Sequence, residues 1–198
     1  MPDRALDVVG ILLAAGSGTR FGGDKLLARL RGVGHDGAVG VAACRNLAAA
    51  IPEVIAVVRP GDTALAAALA GAGARVVECG NAAAGMGASL ACGVQASSAA
   101  LGWIVALADM PWIRPDTIAR VADALRSGAP LAAPFHAGER GHPVGFGRAC
   151  LAELSALGAD EGAKSVVTAH RNAMVRIEVD DPGVLRDVDT PRDLSGGP

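Results

Sequence analysis

A glycine-rich segment with two cations follows the first apolar run of the chain. Residues 13–25, LAAGSGTRFGGDK, contain four glycines together with Arg20 and Lys25. Glycine lets the backbone approach a ligand closely, and it lets successive N–H groups point toward an anion. The run before the segment, 8–13, is short, apolar and β-branched at its start, which is typical of a buried strand. A strand followed by this loop and two cations predicts a polyphosphate site.

The glycine spacing differs from that of two common phosphate-binding loops. Gly16, Gly18 and Gly22 give G-x-G-x-x-x-G, one residue longer than the dinucleotide-binding pattern, which has no lysine of its own. The P-loop needs G-x-x-x-x-G-K-[ST], whereas Lys25 follows an aspartate and precedes a leucine. The alternative that the segment alone leaves open is a flexible loop with solvated cations.

A candidate metal ligand follows a second apolar run. Residues 103–108, WIVALA, predict a central strand that ends at Asp109 and turns at Pro111. In an open α/β sheet, ligands bind outside the carboxyl ends of the strands, so we expect Asp109 at the same edge as the glycine-rich loop. Mg²⁺ binds one or two carboxylates together with phosphates and water. Asp109 is therefore the first candidate Mg²⁺ ligand, the alternative being a capping residue at a strand end.

Five segments, in order along the chain, resemble the signatures of the nucleotidyltransferases that act on molybdopterin. They resemble more broadly the sugar-nucleotide and CMP-activating enzymes of the same fold. Phe21 stands where this family usually has methionine, and residues 31–45 match poorly. The five segments are LAAGSGTRFGGDK at 13–25, NAAAGMGASL at 81–90, ADMP at 108–111, GHPVGF at 141–146 and DVDTPRDL at 187–194.

The resemblance implies a Rossmann-like three-layer α/β/α nucleotidyltransferase fold with a mostly parallel sheet. The chain would form a single domain, 1–198, with a nucleotide-binding half at about 1–111 and an acceptor-binding half at about 112–198. The residue pattern agrees with strands that alternate with helices, joined by right-handed crossovers. The remaining elements expected are strands at 54–58, 75–78 and 129–135 and helices at about 38–50, 62–70, 86–99 and 115–127, with Asp62 as the N-cap of the second.

The resemblance also implies a role for each matching residue. Arg20 and Lys25 would be the catalytic cations, neutralising the triphosphate and the leaving pyrophosphate. The implied nucleotide-binding residues are these two cations with Leu13, Ala14, Ala15, Gly16, Ser17, Gly18, Asn81 and Ser89; the acceptor-binding residues are Met86, His142 and Pro143; and the Mg²⁺ ligands are Asp109 and Asp189.

Two aspartates compete for the second metal position. Alternation would place Asp187 and Asp189 on one side of a short strand, where two carboxylates repel unless a metal or a base is near. In the wider fold, the aspartate directly before Thr-Pro contacts the metal, which favours Asp189 and leaves Asp187 in reserve. The alternative is an acidic turn on the surface.

The implied reaction is transfer of a nucleotidyl group from a nucleoside triphosphate to the phosphate of Mo-molybdopterin, with release of pyrophosphate. Relatives that prefer GTP tend to have L-A-G-G, and those that prefer CTP tend to have A-A-G. Because Ala15 follows Ala14 here, we expect CTP as donor and molybdopterin cytosine dinucleotide as product. A molybdenum hydroxylase apoenzyme is a further expected partner. The alternatives are use of GTP, a sugar phosphate or another phosphorylated acceptor, and a non-catalytic protein that delivers the cofactor.

Composition narrows the remaining classes of partner. The 198 residues carry a formal net charge of −2, so there is no global basic field and we expect no nucleic-acid ligand. The four cysteines form no C-x-x-C pair, which favours reduced thiols in a cytoplasmic protein. The start of the chain lacks a signal-peptide pattern, and no apolar run reaches the roughly 18 residues of a membrane span. We therefore expect no membrane partner.

Overall fold

The computed structural model describes residues 7–16, 21, 24–31, 37–158 and 162–195. Within these residues, eight strands form one mixed sheet and six α-helices pack on it. The strands are β1 (Val8–Leu13), β2 (Val54–Val58), β3 (Arg75–Glu78), β4 (Gly102–Leu107), β5 (Leu131–His136), β6 (Glu139–Arg140), β7 (Val144–Gly147) and β8 (Met174–Glu178). The helices are α1 (Val39–Ala50), α2 (Thr63–Gly71), α3 (Met86–Gln95), α4 (Pro115–Arg126), α5 (Leu151–Ser155) and α6 (Lys164–His170).

The first four strands are parallel and bring their carboxyl ends to one edge. The sheet order is β3-β2-β1-β4-β7-β5-β6, so β1 lies between β2 and β4. Ile11 pairs with Ile55 of β2 on one side and with Val105 of β4 on the other. This central position places the loop after β1 between the ends of two neighbouring strands, which is where ligands bind in open α/β sheets.

Helices cover both faces of the sheet. Alternate residues of β1 face opposite layers, because successive side chains of a strand point to opposite sides. Leu12 packs in a core cluster with α1, α2 and α4, whereas Ile11 packs in a second cluster with α3, α5 and α6. Both side chains are fully buried. The predicted three-layer α/β/α fold with a mostly parallel sheet is therefore confirmed.

The second half of the sheet contains the antiparallel strands. β7 is inserted between β4 and β5 and pairs antiparallel with both. β6 also pairs antiparallel with β5, while β8 pairs parallel with the opposite edge of β5. The segment Gly141-His142-Pro143, which contains a cis His142–Pro143 peptide bond, connects β6 to β7. It therefore lies near the end of β4, which is the neighbour of β7.

The predicted elements differ from the observed ones mainly at their ends. Strands β2 and β3 have the predicted limits, and β5 is Leu131–His136 rather than 129–135. Helix α3 ends at Gln95 instead of residue 99. The backbone N–H of Ser97 donates to the carbonyl of Val94, three residues back, while the Gly93 carbonyl accepts the Ser97 hydroxyl. None of the helices in the described part of the chain is long and apolar enough to cross a membrane.

Candidate active site

A cavity of about 540 Å³ opens at the carboxyl ends of β1, β2 and β4. Its volume lies within the range of about 300–1,000 Å³ that is usual for small-molecule sites. Both the loop after β1 and the N-terminus of α3 border it. Eight of the residues predicted to act in the site line this cavity: Leu13, Ala14, Ala15, Gly16, Lys25, Met86, Ser89 and Asp109.

The loop after β1 is held in place by the strands on either side. The backbone N–H of Ala14 donates to the carbonyl of Val57 at 2.9 Å, and the N–H of Ala108 donates to the carbonyl of Leu13 at 3.1 Å. Ala14 and Ala15 are buried. The start of the loop is thus a fixed wall of the cavity. The predicted residues Ser17, Gly18 and Arg20 lie outside the described residues.

Lys25 joins the glycine-rich loop to the end of β4. Its ammonium is 2.8 Å from Oδ2 of Asp109 and 3.7 Å from Oδ1 of Asp189. The Lys25 side chain is only 13% exposed and that of Asp109 is 26% exposed. Solvent therefore screens this interaction less than it would screen a surface ion pair. One cation and two carboxylates, which come from three separate segments of the sequence, form a single charged centre.

The predicted short strand through Asp187 and Asp189 is absent. Residues 186–189 have no regular secondary structure, because their backbone bonds to a loop rather than to a strand of the sheet. The N–H of Val188 donates to the backbone carbonyl of Asp109 at 2.8 Å, and the Val188 side chain is fully buried. This anchor brings both aspartates next to Asp109 without a strand.

Asp193 fixes the turn that carries Asp189. Its Oδ2 accepts the backbone N–H groups of Asp189 at 3.1 Å and Thr190 at 2.7 Å, and also the Thr190 hydroxyl at 2.9 Å. These bonds hold the pKa of Asp193 below its usual value. Sequence reasoning gave Asp193 no role, although an aspartate that follows Thr-Pro by two residues is a recognisable turn signal.

The carboxylates at this edge influence one another. Burial and the nearby charge of Asp189 raise the pKa of Asp187, and Asp109 adds to the effect, whereas Lys25 opposes it. The described residues contain no group of three or more His, Cys, Asp or Glu side chains arranged to hold a metal ion. Asp109 and Asp189, which share one ammonium, nevertheless fit Mg²⁺, because that ion needs only one or two carboxylates when phosphates complete its shell.

His142 lies beside this centre rather than in the cavity wall. Its Nδ1 atom is buried and has no hydrogen-bond partner among the described residues. Burial, together with the charge of Arg140, lowers the pKa of His142 to about 4, although the charge of Asp109 opposes both. The backbone N–H of His142 donates to the carbonyl of Val184 at 2.9 Å. The ring is thus neutral near pH 7, and Pro143, which follows it, is also buried and outside the cavity lining.

The start of α3 forms another part of the cavity wall. Gly85 precedes the helix with a φ of 139°, a backbone conformation that favours glycine. Met86 is 55% exposed, and Ser89 is buried one turn later. The first N–H groups of a helix have no partner within it and can bind an anion. Asn81 lies outside the cavity lining, and its Oδ1 accepts the thiol of Cys79 at 3.0 Å.

Sequence reasoning missed two charged residues at the end of β2. Arg59 follows the strand directly, and Asp62 precedes α2; both line the cavity. Asp62 is the N-cap residue of α2, as predicted, although its side chain makes no capping hydrogen bond. The available signal was their place after a buried strand, at the edge where ligands bind.

The family assignment rests on most of the chain. Residues 10–174 match the model of the MobA-like NTP transferase domain. The chain belongs to this family. Among proteins of curated function, none matches the sequence significantly. Membership of the MobA-like family confirms the predicted nucleotidyltransferase class, since the domain is that of an NTP transferase.

Solved structures agree with the MobA-like assignment. Rv0371c from Mycobacterium tuberculosis H37Rv has a TM-score of 0.80 and 29% identity, covering 96% of each chain. A second structure of Rv0371c is a complex with manganese, with a TM-score of 0.75 and 28% identity over 94% of this chain and 95% of that one. Rv0371c, the more similar in sequence of the relatives described here, has thus been crystallised with manganese.

More distant structures share the fold alone. A CMP:2-keto-3-deoxy-manno-octonic acid synthetase complexed with CTP has a TM-score of 0.73 and 18% identity, covering 95% of each chain. Molybdopterin-guanine dinucleotide biosynthesis protein A from Archaeoglobus fulgidus has a TM-score of 0.65 and 17% identity, covering 94% of each chain. The fold that the MobA-like family shares therefore includes enzymes named for cytidine and for guanine nucleotides.

Proposed function

We propose that the protein transfers CMP from CTP to the phosphate of Mo-molybdopterin in a Mg²⁺-dependent reaction, which releases pyrophosphate and forms molybdopterin cytosine dinucleotide. The observation that carries the proposal is the contact of the Lys25 ammonium with both Asp109 and Asp189 beside the loop after β1. A polyphosphate needs cationic charge, and its metal needs carboxylates. Both are present at one end of a cavity of nucleotide size.

Asp109 and Asp189 would hold the Mg²⁺. When bound, the ion supplies positive charge to the phosphate oxygens as negative charge develops on the leaving group. The donors are carboxylate oxygens, which suit Mg²⁺ or Mn²⁺ better than they suit softer metals. Asp187, which directly precedes the anchor at Val188, is the reserve ligand.

The reaction needs no protein nucleophile. An oxygen of the acceptor phosphate forms a bond to the α-phosphorus, the bond from that phosphorus to the bridging oxygen of the β-phosphate breaks, and pyrophosphate leaves. Catalysis of such transfers comes from positioning and charge stabilisation. Lys25 would neutralise the phosphates, with Arg20 as the second cation, and the N–H groups at the start of α3 would orient them.

The acceptor would approach from the second half of the chain. Proposed acceptor residues are Met86, which is exposed at the cavity mouth, and His142 with Pro143, which lie next to the end of β4. His142 is neutral near pH 7, so it can donate or accept a hydrogen bond without repelling a cation in the site. We assign about 1–111 to the nucleotide and about 112–198 to the acceptor, within one domain, 1–198.

Ala15 supports cytosine as the base. Its methyl group lies in the wall of the cavity and is 8% exposed, so it reduces the space that a glycine would leave for a larger purine. The product would then serve a molybdenum hydroxylase apoenzyme, which is the proposed protein partner.

Pyrophosphate release tests the proposal. The enzyme is incubated with Mg²⁺ and CTP, GTP, ATP or UTP, with and without Mo-molybdopterin, and single-turnover products are identified by mass. We expect acceptor-dependent release with CTP and a cytosine dinucleotide product. Preferential GMP transfer would contradict the base assignment, and turnover with a sugar phosphate alone would contradict the acceptor. Absence of turnover with every triphosphate, while Mo-molybdopterin binds, would favour a delivery protein.

A further inference from the structure

Arg59 and Asp62 form a pair of oppositely charged residues on one short turn of the cavity wall. The N–H of Asp62 donates to the carbonyl of Arg59 at 3.3 Å, which keeps both residues at the carboxyl end of β2. Arg59 is exposed and Asp62 is half-buried. Neither side chain has a hydrogen bond or an ion pair with another described residue. Within the described part of the chain, no other side chain therefore competes with a ligand for these two residues.

The order of the strands places this pair at the nucleoside end. Asp109 follows β4 and Arg59 follows β2, with β1 between them. Because neighbouring strands lie about 4.8 Å apart, the ends of β2 and β4 are separated by about 10 Å. The phosphates belong at the β4 end, with Lys25 and Asp109, so the base extends toward β2. Ala82 and Ala83 also line the cavity, and their small side chains leave room for a flat ring.

The pair suits a base better than a phosphate. A phosphate beside Arg59 would also lie beside the carboxylate of Asp62, which repels it. A guanidinium presents parallel N–H donors in a fixed fork, whereas a carboxylate only accepts. Cytosine offers two adjacent acceptors, O2 and N3, next to an amino donor. Uracil interrupts the same edge with an N–H donor.

We propose that Arg59 and Asp62 determine base specificity, with Arg59 donating to O2 and N3 of cytosine and Asp62 accepting from its amino group. This inference rests on the proposed function, since it takes CTP as the donor. It adds the residues that select the base by hydrogen bonding, whereas Ala15 only limits the room available to the base. Guanine also has an adjacent acceptor pair, O6 and N7, whereas adenine has a donor in place of O6.

Binding and turnover of CTP and UTP test this role. Arg59→Gln removes the charge and the fork, and Arg59→Lys keeps the charge but removes the fork. We expect both variants to lower the CTP-to-UTP ratio of kcat/KM, and the corresponding ratio of dissociation constants from calorimetry, by at least tenfold. Asp62→Asn, whose amide can still accept one bond, should lower the ratio about threefold. Arg171→Gln, an exposed arginine outside the cavity, is the matched control.

Three outcomes would overturn the inference, two with CTP as the donor and one with GTP. If Arg59→Lys restores activity and Arg59→Gln weakens CTP and UTP equally, Arg59 binds phosphate. If both variants keep the wild-type ratio within twofold, Arg59 does not read the base, and the proposed function still stands.

If the wild-type enzyme instead prefers GTP, the CTP assignment fails while Arg59 can still be judged. A tenfold fall of the GTP-to-ATP ratio in Arg59→Gln then supports base reading, and an unchanged ratio refutes it.

Discussion

The two ends of the cavity carry charge in different ways. At the β4 end, one ammonium contacts two carboxylates, and Lys25 and Asp109 are largely shielded from solvent. At the β2 end, Arg59 and Asp62 have no side-chain partner among the described residues, and Arg59 is exposed. The first arrangement makes its contacts without a ligand, whereas in the described part of the chain the second has no side-chain partner. The first therefore suits a step common to all substrates, and the second suits selection among them.

This contrast predicts different consequences of mutation. Removing one member of a partly buried charge pair leaves the other without compensation, which reduces stability as well as function. Removing an exposed, unpaired charge costs little stability. Substitutions at the β4 end should thus affect both rate and folding, and those at the β2 end should affect specificity alone.

Asp109→Asn should have the largest effect. The substitution keeps the shape of the side chain but removes the charge that Lys25 contacts and that would hold the metal. We expect kcat/KM to fall about 1,000-fold, which corresponds to about 4 kcal/mol, and Mn²⁺ binding by electron paramagnetic resonance to weaken in parallel. Asp123→Asn, which removes a surface carboxylate paired with Arg126, is the control and should keep full activity. Equal loss in both variants would refute a specific role for Asp109.

Lys25→Met should follow in size. The substitution keeps an unbranched side chain but leaves the carboxylates of Asp109, Asp187 and Asp189 facing one another. We expect kcat/KM to fall about 100-fold. Because the Lys25 ammonium opposes the raised pKa of Asp187, that pKa should rise further in the variant. An NMR titration of the Asp187 carboxyl carbon measures this shift. An unchanged pKa would show that the Lys25 ammonium does not act on Asp187.

His142, beside the β4 end, makes the free energy of unfolding of the protein depend on pH. Burial lowers its pKa to about 4 from an ordinary value of 6.5, so the unfolded chain binds a proton first as the pH falls. The contribution is complete above pH 6.5 and is lost between there and pH 4, by at most about 3 kcal/mol. His142→Gln should remove this part of the acid sensitivity in urea denaturation curves. A variant whose unfolding free energy falls with acid as steeply as that of the wild type would contradict this role of His142.

The wall that both ends share depends on a close approach at Gly87. A Cβ at this position, in the first turn of α3, would overlap the backbone carbonyl of Gly158. Gly87→Ala should therefore lower the free energy of unfolding by about 1–3 kcal/mol. Gly80→Ala is a matched control, since its Cβ would meet no atom within 4 Å. Chemical denaturation compares the two variants. Equal free energies of unfolding would mean that α3 can shift away from Gly158 at no cost.

The parts of the fold and the site that could be predicted from the sequence are those set by residues close together in the chain. β1, β4 and Asp109 were predictable, because a continuous apolar run and a following turn are local signals. The conformation of residues 187–189 could not be predicted, since it depends on a backbone hydrogen bond from Val188 to Asp109, 79 residues earlier in the chain. The short strands β6 and β7 carry no run long enough to stand out, so the insertion that brings His142 beside β4 was also missed.

Arg59 and Asp62 were missed for a different reason. One arginine and one aspartate after a strand look like any polar turn, and only the cavity shows that both face the same space as Lys25. Sequence reasoning instead read Asp62 as a helix cap, which is its commoner use. A charge without a partner is a property of the folded surroundings, so the sequence alone could not reveal it.

The smallest predicted effect is therefore also the sharpest test of the contrast. Arg59→Gln and Asp62→Asn should each change the free energy of unfolding by less than about 0.5 kcal/mol, because no described side chain loses a partner. Lys25→Met, measured alongside by urea denaturation, should cost at least about 1 kcal/mol, because Asp109 and Asp189 each lose their contact with the Lys25 ammonium. If Arg59→Gln proves as destabilising as Lys25→Met, the charges at the β2 end stabilise the fold without a ligand. They would then be structural, and base selection would depend on the space left by Ala15.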